Sequence, residues 1–293
     1  MIDKSYLPEA LRDANNCQQE LIPGFNYAYG YRPSLVAGII FCVLFGIPFF
    51  GHALQTIRLR RWTSALLSIG ALTELIGWAG RTWSAECPYN SNAFLIQITT
   101  LIIAPVFFTA ALYVLLGQFI NILGREYSLL SARMYTIVFM TCDVVSLVVQ
   151  AAGGAMASMA SSNNKDTKLG TNIMVAGVIF QLVAMTAFAL LALDFYRRSS
   201  KLGMPKEYNK ILVASFISLV AIYARSIFRA IELIEGWSGY LMMHEAYFIA
   251  LDGALMVLAV CIFLPFDPAR TIPKVYRVVK KELNESTEYS TSI

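Results

Sequence analysis

Seven apolar runs, each long enough to cross a bilayer, constrain this chain more than any other feature. They are Pro33–Ile57, Trp62–Trp83, Ala93–Ile120, Met134–Met159, Asn172–Leu193, Ile211–Glu232 and Ala246–Phe266. A hydrocarbon core of about 30 Å needs about 20 mainly apolar residues of α-helix. Lipid offers the backbone no hydrogen bonds, so only helices and closed barrels span it. Barrel strands would read as alternating segments of about 10 residues, and no such alternation is present. The charged share is 14%, against about 25% in soluble domains, too little to cover a water-facing surface. The expected fold class is therefore all-α: a polytopic membrane protein of seven transmembrane helices. Residues 1–32 form an extracellular segment, 33–266 the seven-helix domain, and 267–293 a cytoplasmic tail. The tail is Ser/Thr/Glu-rich after Lys281, a composition expected to stay disordered. No cleaved signal peptide is expected, because a polar, partly acidic stretch precedes the first run.

Orientation follows from Lys and Arg, which concentrate in cytoplasmic loops. Fifteen lie after the first, third, fifth and seventh runs, against five before the first and after the fourth. That bias places the N-terminus outside and the C-terminus in the cytoplasm. Trp62, Trp83, Tyr27, Tyr29 and Tyr31 sit at helix ends, as interfacial aromatic residues do. The basic loops read as contacts to anionic lipid headgroups, with no nucleic-acid role. Cys17 and Cys87 both fall on the oxidising outer side, where pairing is allowed; spacing alone does not decide whether they pair.

The informative residues are the polar ones at membrane depth, where each charge costs at least about 2.5–3.5 kcal/mol. Tyr223–Gly236 reads YARSIFRAIELIEG, which puts Arg225, Arg229 and Glu232 on one helical stripe. A seven-residue spacing recurs in Glu74 and Arg81, in Asp143 and Gln150, and in Glu245 and Asp252. Three arginines thus stand against five acids, enough to pair within the outer half of the bundle. Two readings stay open: ion pairs that fix helix registry, or a polar cavity for an amphipathic ligand. His52 is a candidate for proton coupling, or a hydrogen-bonded structural residue. Pro48 and Pro105 are expected to kink their helices, and Gly153 and Ala157 have small-xxx-small spacing suited to close helix contact.

Several classes are excluded or unsupported. No G-x-x-x-x-G-K-[ST] loop occurs, and the seventh run has no lysine for a retinal Schiff base. Two histidines in the whole chain argue against an intramembrane metal site. No G-x-S-x-G elbow points to a hydrolase. No cofactor and no enzymatic activity are expected.

These residues resemble the fungal lipid-translocating exporter family, seven-helix proteins associated with aminocholesterol resistance. The resemblance runs from about Tyr31 to Pro268. It rests on Tyr31-Arg-Pro33-Ser34 with His52; Glu74-x-x-Gly77-Trp-x-x-Arg81; Gln97 with Ala104-Pro105 and Ala110-x-x-Tyr113; Asp143-x-x-Ser146-x-x-x-Gln150-x-x-Gly153-Gly154; Arg225-x-x-Phe228-Arg229-x-x-Glu232; and His244-Glu245 with Asp252. One departure is Asp267-Pro268, where the family often has His-Pro. The resemblance implies a membrane protein that moves sphingoid long-chain bases, sterol-like toxicants or, in one branch, porphyrins. Its partners would be membrane lipids and an amphipathic ligand; the oligomeric state is open. The expected residence is the plasma membrane, with the vacuole or endoplasmic reticulum as alternatives. The competing functional reading is a receptor-like sensor signalling through its basic inner loops.

Overall fold

The computed structural model describes residues 17–23, 27, 29–163, 165–199, 206–236, 239–266, 268 and 272. Asp267, the N-terminal part of segment 1–32 and nearly all of segment 267–293 lie outside the described residues. Helix α1 spans Leu35–Leu59, α2 Trp62–Glu86, α3 Ser91–Leu123, α4 Ala132–Ser162, α5 Lys168–Ser199 and α6 Lys206–Glu235. A 3₁₀ turn, Arg125–Tyr127, links α3 to α4. A short α7, Tyr240–Met243, precedes α8, Glu245–Tyr247; a π-helical stretch, Phe248–Ala254, then leads into α9, Leu255–Cys261. No strand occurs among the described residues.

The helix ends follow local chemistry. Ser34 starts α1, its hydroxyl accepting from the Ala37 amide, and Asn90 starts α3, accepting from Asn92 and Ala93. Such caps satisfy amides that have no partner within the helix. Arg60 ends α1 in the left-handed region at φ 47°, so the chain turns within two residues into α2.

Among the described residues five helices are long and apolar enough to cross a membrane: Leu35–Leu59, Ser91–Leu123, Ala132–Ala160, Lys168–Ser199 and Asn209–Glu235. Two of the seven expected spans differ for distinct reasons. Helix α2 has the length but carries Thr63, Ser64, Ser68, Glu74, Arg81 and Ser84, all buried against its neighbours. The seventh run is not one α-helix, because the π-helical stretch interrupts it. At that stretch a Cβ on Gly253 would lie 2.6 Å from Trp78 Cζ2 and 2.8 Å from the Phe41 ring. Only glycine admits that approach.

Helix α3 is the central rod, packing on α2, α4, α6 and α9. Around it α1 packs on α2, α4 on α5, α5 on α6, and α6 on α9, which returns to α1. Apolar and charged residues are distributed in the reverse of a soluble domain. Val36, Ile47, Phe50, Val148, Val183, Leu190 and Phe216 are among many large apolar side chains that face outward. Glu74, Arg81, Asp143, Arg225, Glu232 and Asp252 are buried. Apolar surface of that extent is at home in lipid, and the chain is an integral membrane protein.

Candidate functional site

The polar residues singled out in the sequence separate into three groups. The first lies at the end of the bundle that carries Cys87. Arg81 is 1% exposed. Its Nη2 donates to Glu245 Oε1 at 2.8 Å and to the Tyr31 hydroxyl at 2.7 Å, and its Nη1 reaches Gln97 Oε1 at 3.5 Å. The guanidinium sits 4.4 Å from the Phe248 ring centroid and within 6 Å of the Tyr29, Tyr31 and Trp78 rings. A cation enclosed by π faces in this way is held by the ring quadrupoles as well as by its ion pair. Glu245 also accepts from the Ser34 amide at 2.9 Å, so one carboxylate ties the start of α1 to α2 and α8.

A strap preceding α1 covers this end. Cys17 and Cys87 form a disulfide; Gln19 donates to Glu86, the Ile22 amide to the Tyr89 hydroxyl, and Arg32 to the Ala85 carbonyl. Tyr29 donates to Gln97. Burial pushes the Tyr29 phenol up to about 12 and raises that of Tyr31, with the Arg81 charge opposing. Both phenols therefore stay neutral at neutral pH, Tyr29 donating to Gln97 and Tyr31 accepting from Arg81.

The second group lies deeper and joins α2, α3, α6 and the π-helical stretch. Arg225 Nε is 2.9 Å from Asp252 Oδ1, and Arg229 Nη1 is 2.6 Å from Glu232 Oε2; Arg229 Nε is 3.9 Å from Asp252. Arg225 Nη2 also donates to the Leu101 carbonyl at 2.6 Å. The reason is four residues on: Pro105 has no amide, so the Leu101 carbonyl has no donor in its own helix. Arg225 supplies it from α6. Glu74 completes the group, facing Arg225, Asp252 and Arg229, with Trp78 beside it. Among the described residues neither Glu74, with the Trp78 indole beside it, nor Asp252 has a well-directed hydrogen bond to either oxygen. Two arginines thus meet three carboxyls, so the cluster has one carboxyl more than its cations and is short of donors.

A crevice connects these two groups. Tyr29, Tyr31, Arg81, Gln97, Leu101, Arg229, Glu232 and Phe248 line it. Its free space is about 20 Å³, little more than one water requires. On the lipid-facing side, α1 and α2 form an open apolar groove of about 810 Å³ along Ile39, Val43, Ile47, Phe50, Leu75 and Ala79.

The third group stands apart, in α4. Asp143 accepts from Thr109 and Tyr113 of α3, both at 3.0 Å, and no arginine reaches it. Gln150 donates to Ser146 at 2.7 Å and to Gln181 at 3.1 Å; Ser146 donates to the Gly177 carbonyl at 2.9 Å. Their spacing matches that of the charged stripes, but α4 turns them towards α3 and α5 and away from the crevice. His52 is also remote: its ring nitrogens lie 2.7 Å from Gln55 Oε1 and 3.4 Å from the Val260 carbonyl. Among the described residues no cluster of three metal-ligating side chains occurs.

Two contributors were not expected from the sequence. Tyr29 reads as an interfacial aromatic yet lines the crevice. The Leu101 carbonyl becomes a ligand of Arg225 only because Pro105 leaves it free; the proline was the available signal.

A family profile described as RTA1 like protein matches residues 67–275. The sphingoid long-chain base transporter RSB1 of Saccharomyces cerevisiae is 30% identical over 290 residues, covering 86% of this chain and 76% of the relative. Protein RTA1 of the same yeast is 30% identical over 283 residues, covering 85% and 87%. Its protoporphyrin uptake protein 1 is 27% identical over 294 residues, covering 86% and 95%. No solved structure matches.

Proposed function

The chain belongs to the RTA1-like protein family, and on that premise we propose that it translocates amphipathic lipids with a cationic headgroup, sphingoid long-chain bases first among them. In this reading all seven apolar runs cross the membrane, with the N-terminus outside. The polar α2 and the interrupted seventh run are shielded by the five more apolar helices, and the basic loops hold the C-terminal side in the cytoplasm. Movement is outward, across the plasma membrane, which would confer resistance to lipid-like toxicants.

The observation that carries this reading is the donor-poor cluster of Glu74, Glu232 and Asp252, one carboxyl in excess of its two arginines, at membrane depth. A buried carboxylate without donors is costly, and an ammonium headgroup supplies both the missing charge and the missing N–H groups. Arg225 and Arg229 keep part of the cluster neutralised and hold α6 against α3. Arg81, Tyr31 and Glu245 form the gate at the mouth. The apolar groove of α1 and α2 gives the alkyl chain a path beside the headgroup. Asp143 and Gln150 are left out of the site because their partners lie on α3, α4 and α5, apart from the charged cluster. The sphingoid-base relative named above supports the same substrate class, and it is named as a transporter, not an enzyme.

The test is the flux of a fluorescent sphingoid base across liposomes that hold the purified protein. Glu232→Gln, reconstituted in equal amount, should slow flux about tenfold, the effect of losing about 1.4 kcal/mol of charge complementarity. Equal flux would remove Glu232 from the site. No movement by the unmodified protein, with saturable binding retained, would turn the reading to a sensor.

A further inference from the structure

We propose that Glu74 is the proton site of this protein, exchanging a proton for the cationic headgroup. This deepens the translocase reading and rests on it for the exchange half alone. Glu74 is fully buried, and among the described residues the Trp78 indole N–H is the one donor beside its carboxyl, with no well-directed hydrogen bond to either oxygen. From α6, Arg225 and Arg229 face it, and from the π-helical stretch Asp252. Helix α3 contains no charged residue, and α1 has only His52 and Arg58, both towards its C-terminal end. Arg229 is in ion-pair contact with Glu232, and Arg225 with Asp252. Both cations are therefore committed, and Glu74 is the acid left over. An ionised carboxylate with a single indole N–H beside it and no ion pair of its own is not sustained in an apolar core, so in the closed bundle Glu74 holds a proton.

The position suits exchange. Glu74 lies seven residues below Arg81 on α2, about 10 Å along the helix axis, and its neighbour Arg229 lines the crevice. When a headgroup ammonium enters, Glu74 gives up its proton to water in the crevice and its carboxylate takes the ammonium. When the lipid leaves, the proton returns. One positive charge replaces another, so the exchange is electroneutral: it is driven by a pH gradient and insensitive to membrane potential. His52 is not required, since both of its ring nitrogens face acceptors.

Infrared difference spectroscopy on the full-length protein in lipid tests the proton site without reference to transport. A carboxylic C=O band should be present at neutral pH in the unmodified protein, persist in Glu232→Gln and vanish in Glu74→Gln, whose amide mimics the protonated acid. Adding sphinganine should abolish the band and release a proton for each lipid bound. Absence of the band in the unmodified protein, or its survival in Glu74→Gln, overturns the proposal. If Glu74→Gln does not fold, titration of the band in the unmodified protein decides: a band that neither sphinganine nor alkaline pH removes is equally fatal. In liposomes, an imposed pH gradient should drive sphinganine uphill, and Glu74→Gln, which can neither release a proton nor take the ammonium, should lose that response together with lipid-for-lipid exchange. Flux in the unmodified protein that ignores the pH gradient overturns the exchange. Absence of any flux, with the band present and removed by sphinganine, overturns the translocase reading and leaves the proton site standing.

Discussion

The seam between α4 and α5 and the seam joining α2, α3, α6 and the π-helical stretch both place polar residues at helical spacing between apolar helices, to opposite ends. At the first, Gly153, Gly170 and Gly177 bring the backbones together, and a Cβ on Gly170 would meet the Ala157 amide nitrogen and lie 2.6 Å from the Gly153 carbonyl oxygen. The side chains there, Ser146, Gln150 and Gln181, are neutral and answer one another. At the second, full charges are buried with oxygens left over. Neutral amides and hydroxyls satisfied in pairs make a permanent joint. Charges with unmade bonds make a place where something else can bind.

The largest effect should come from breaking the charged seam. Arg225→Leu strands Asp252 and the Leu101 carbonyl together, and losing one partner of a buried pair costs about 3–5 kcal/mol. Thermal unfolding in micelles should show this as a large fall in midpoint, with sphingoid-base flux lost. Next, replacing both Cys17 and Cys87 by Ser unties the strap and should cost about 2–4 kcal/mol. It should also speed maleimide labelling of a cysteine placed at Gln97 in the crevice. If labelling does not change, the strap is not what closes the crevice.

The neutral seam should respond differently. Gly170→Val forces two backbones apart and should cost about 1–3 kcal/mol by overpacking, while flux per folded molecule is unchanged. A specific loss of flux would dissolve the contrast between the two seams. Gln150→Leu is the smallest change, about 0.6 kcal/mol for one interhelical hydrogen bond in a membrane. Ser146 still donates to Gly177 and Gln181 after that change.

Most of the fold was legible before any coordinates. Apolar runs report membrane helices because the bilayer imposes both length and composition on them, and α1 and α3 to α6 meet both. Stripes such as Arg225, Arg229 and Glu232 were legible because helical periodicity alone puts them on one face. The break at Phe248–Ala254 was not legible. A π turn depends on Gly253 meeting Phe41 and Trp78 from two other helices, and no local propensity encodes that meeting.

The sequence by itself determined that charges lie within the apolar runs, on which helical faces, and with an excess of acid. Composition and period are local properties, and the cost of burying a charge is the same in any fold. Only the tertiary structure decided which acid meets which arginine. Helix rotation and the gap left by Pro105 sent Arg225 to Asp252 and Leu101, turned Asp143 towards Thr109 and Tyr113, and left Glu74 without an arginine of its own. Pairing is a matter of a few ångströms between helices distant in sequence, and one-dimensional spacing carries no measure of that distance.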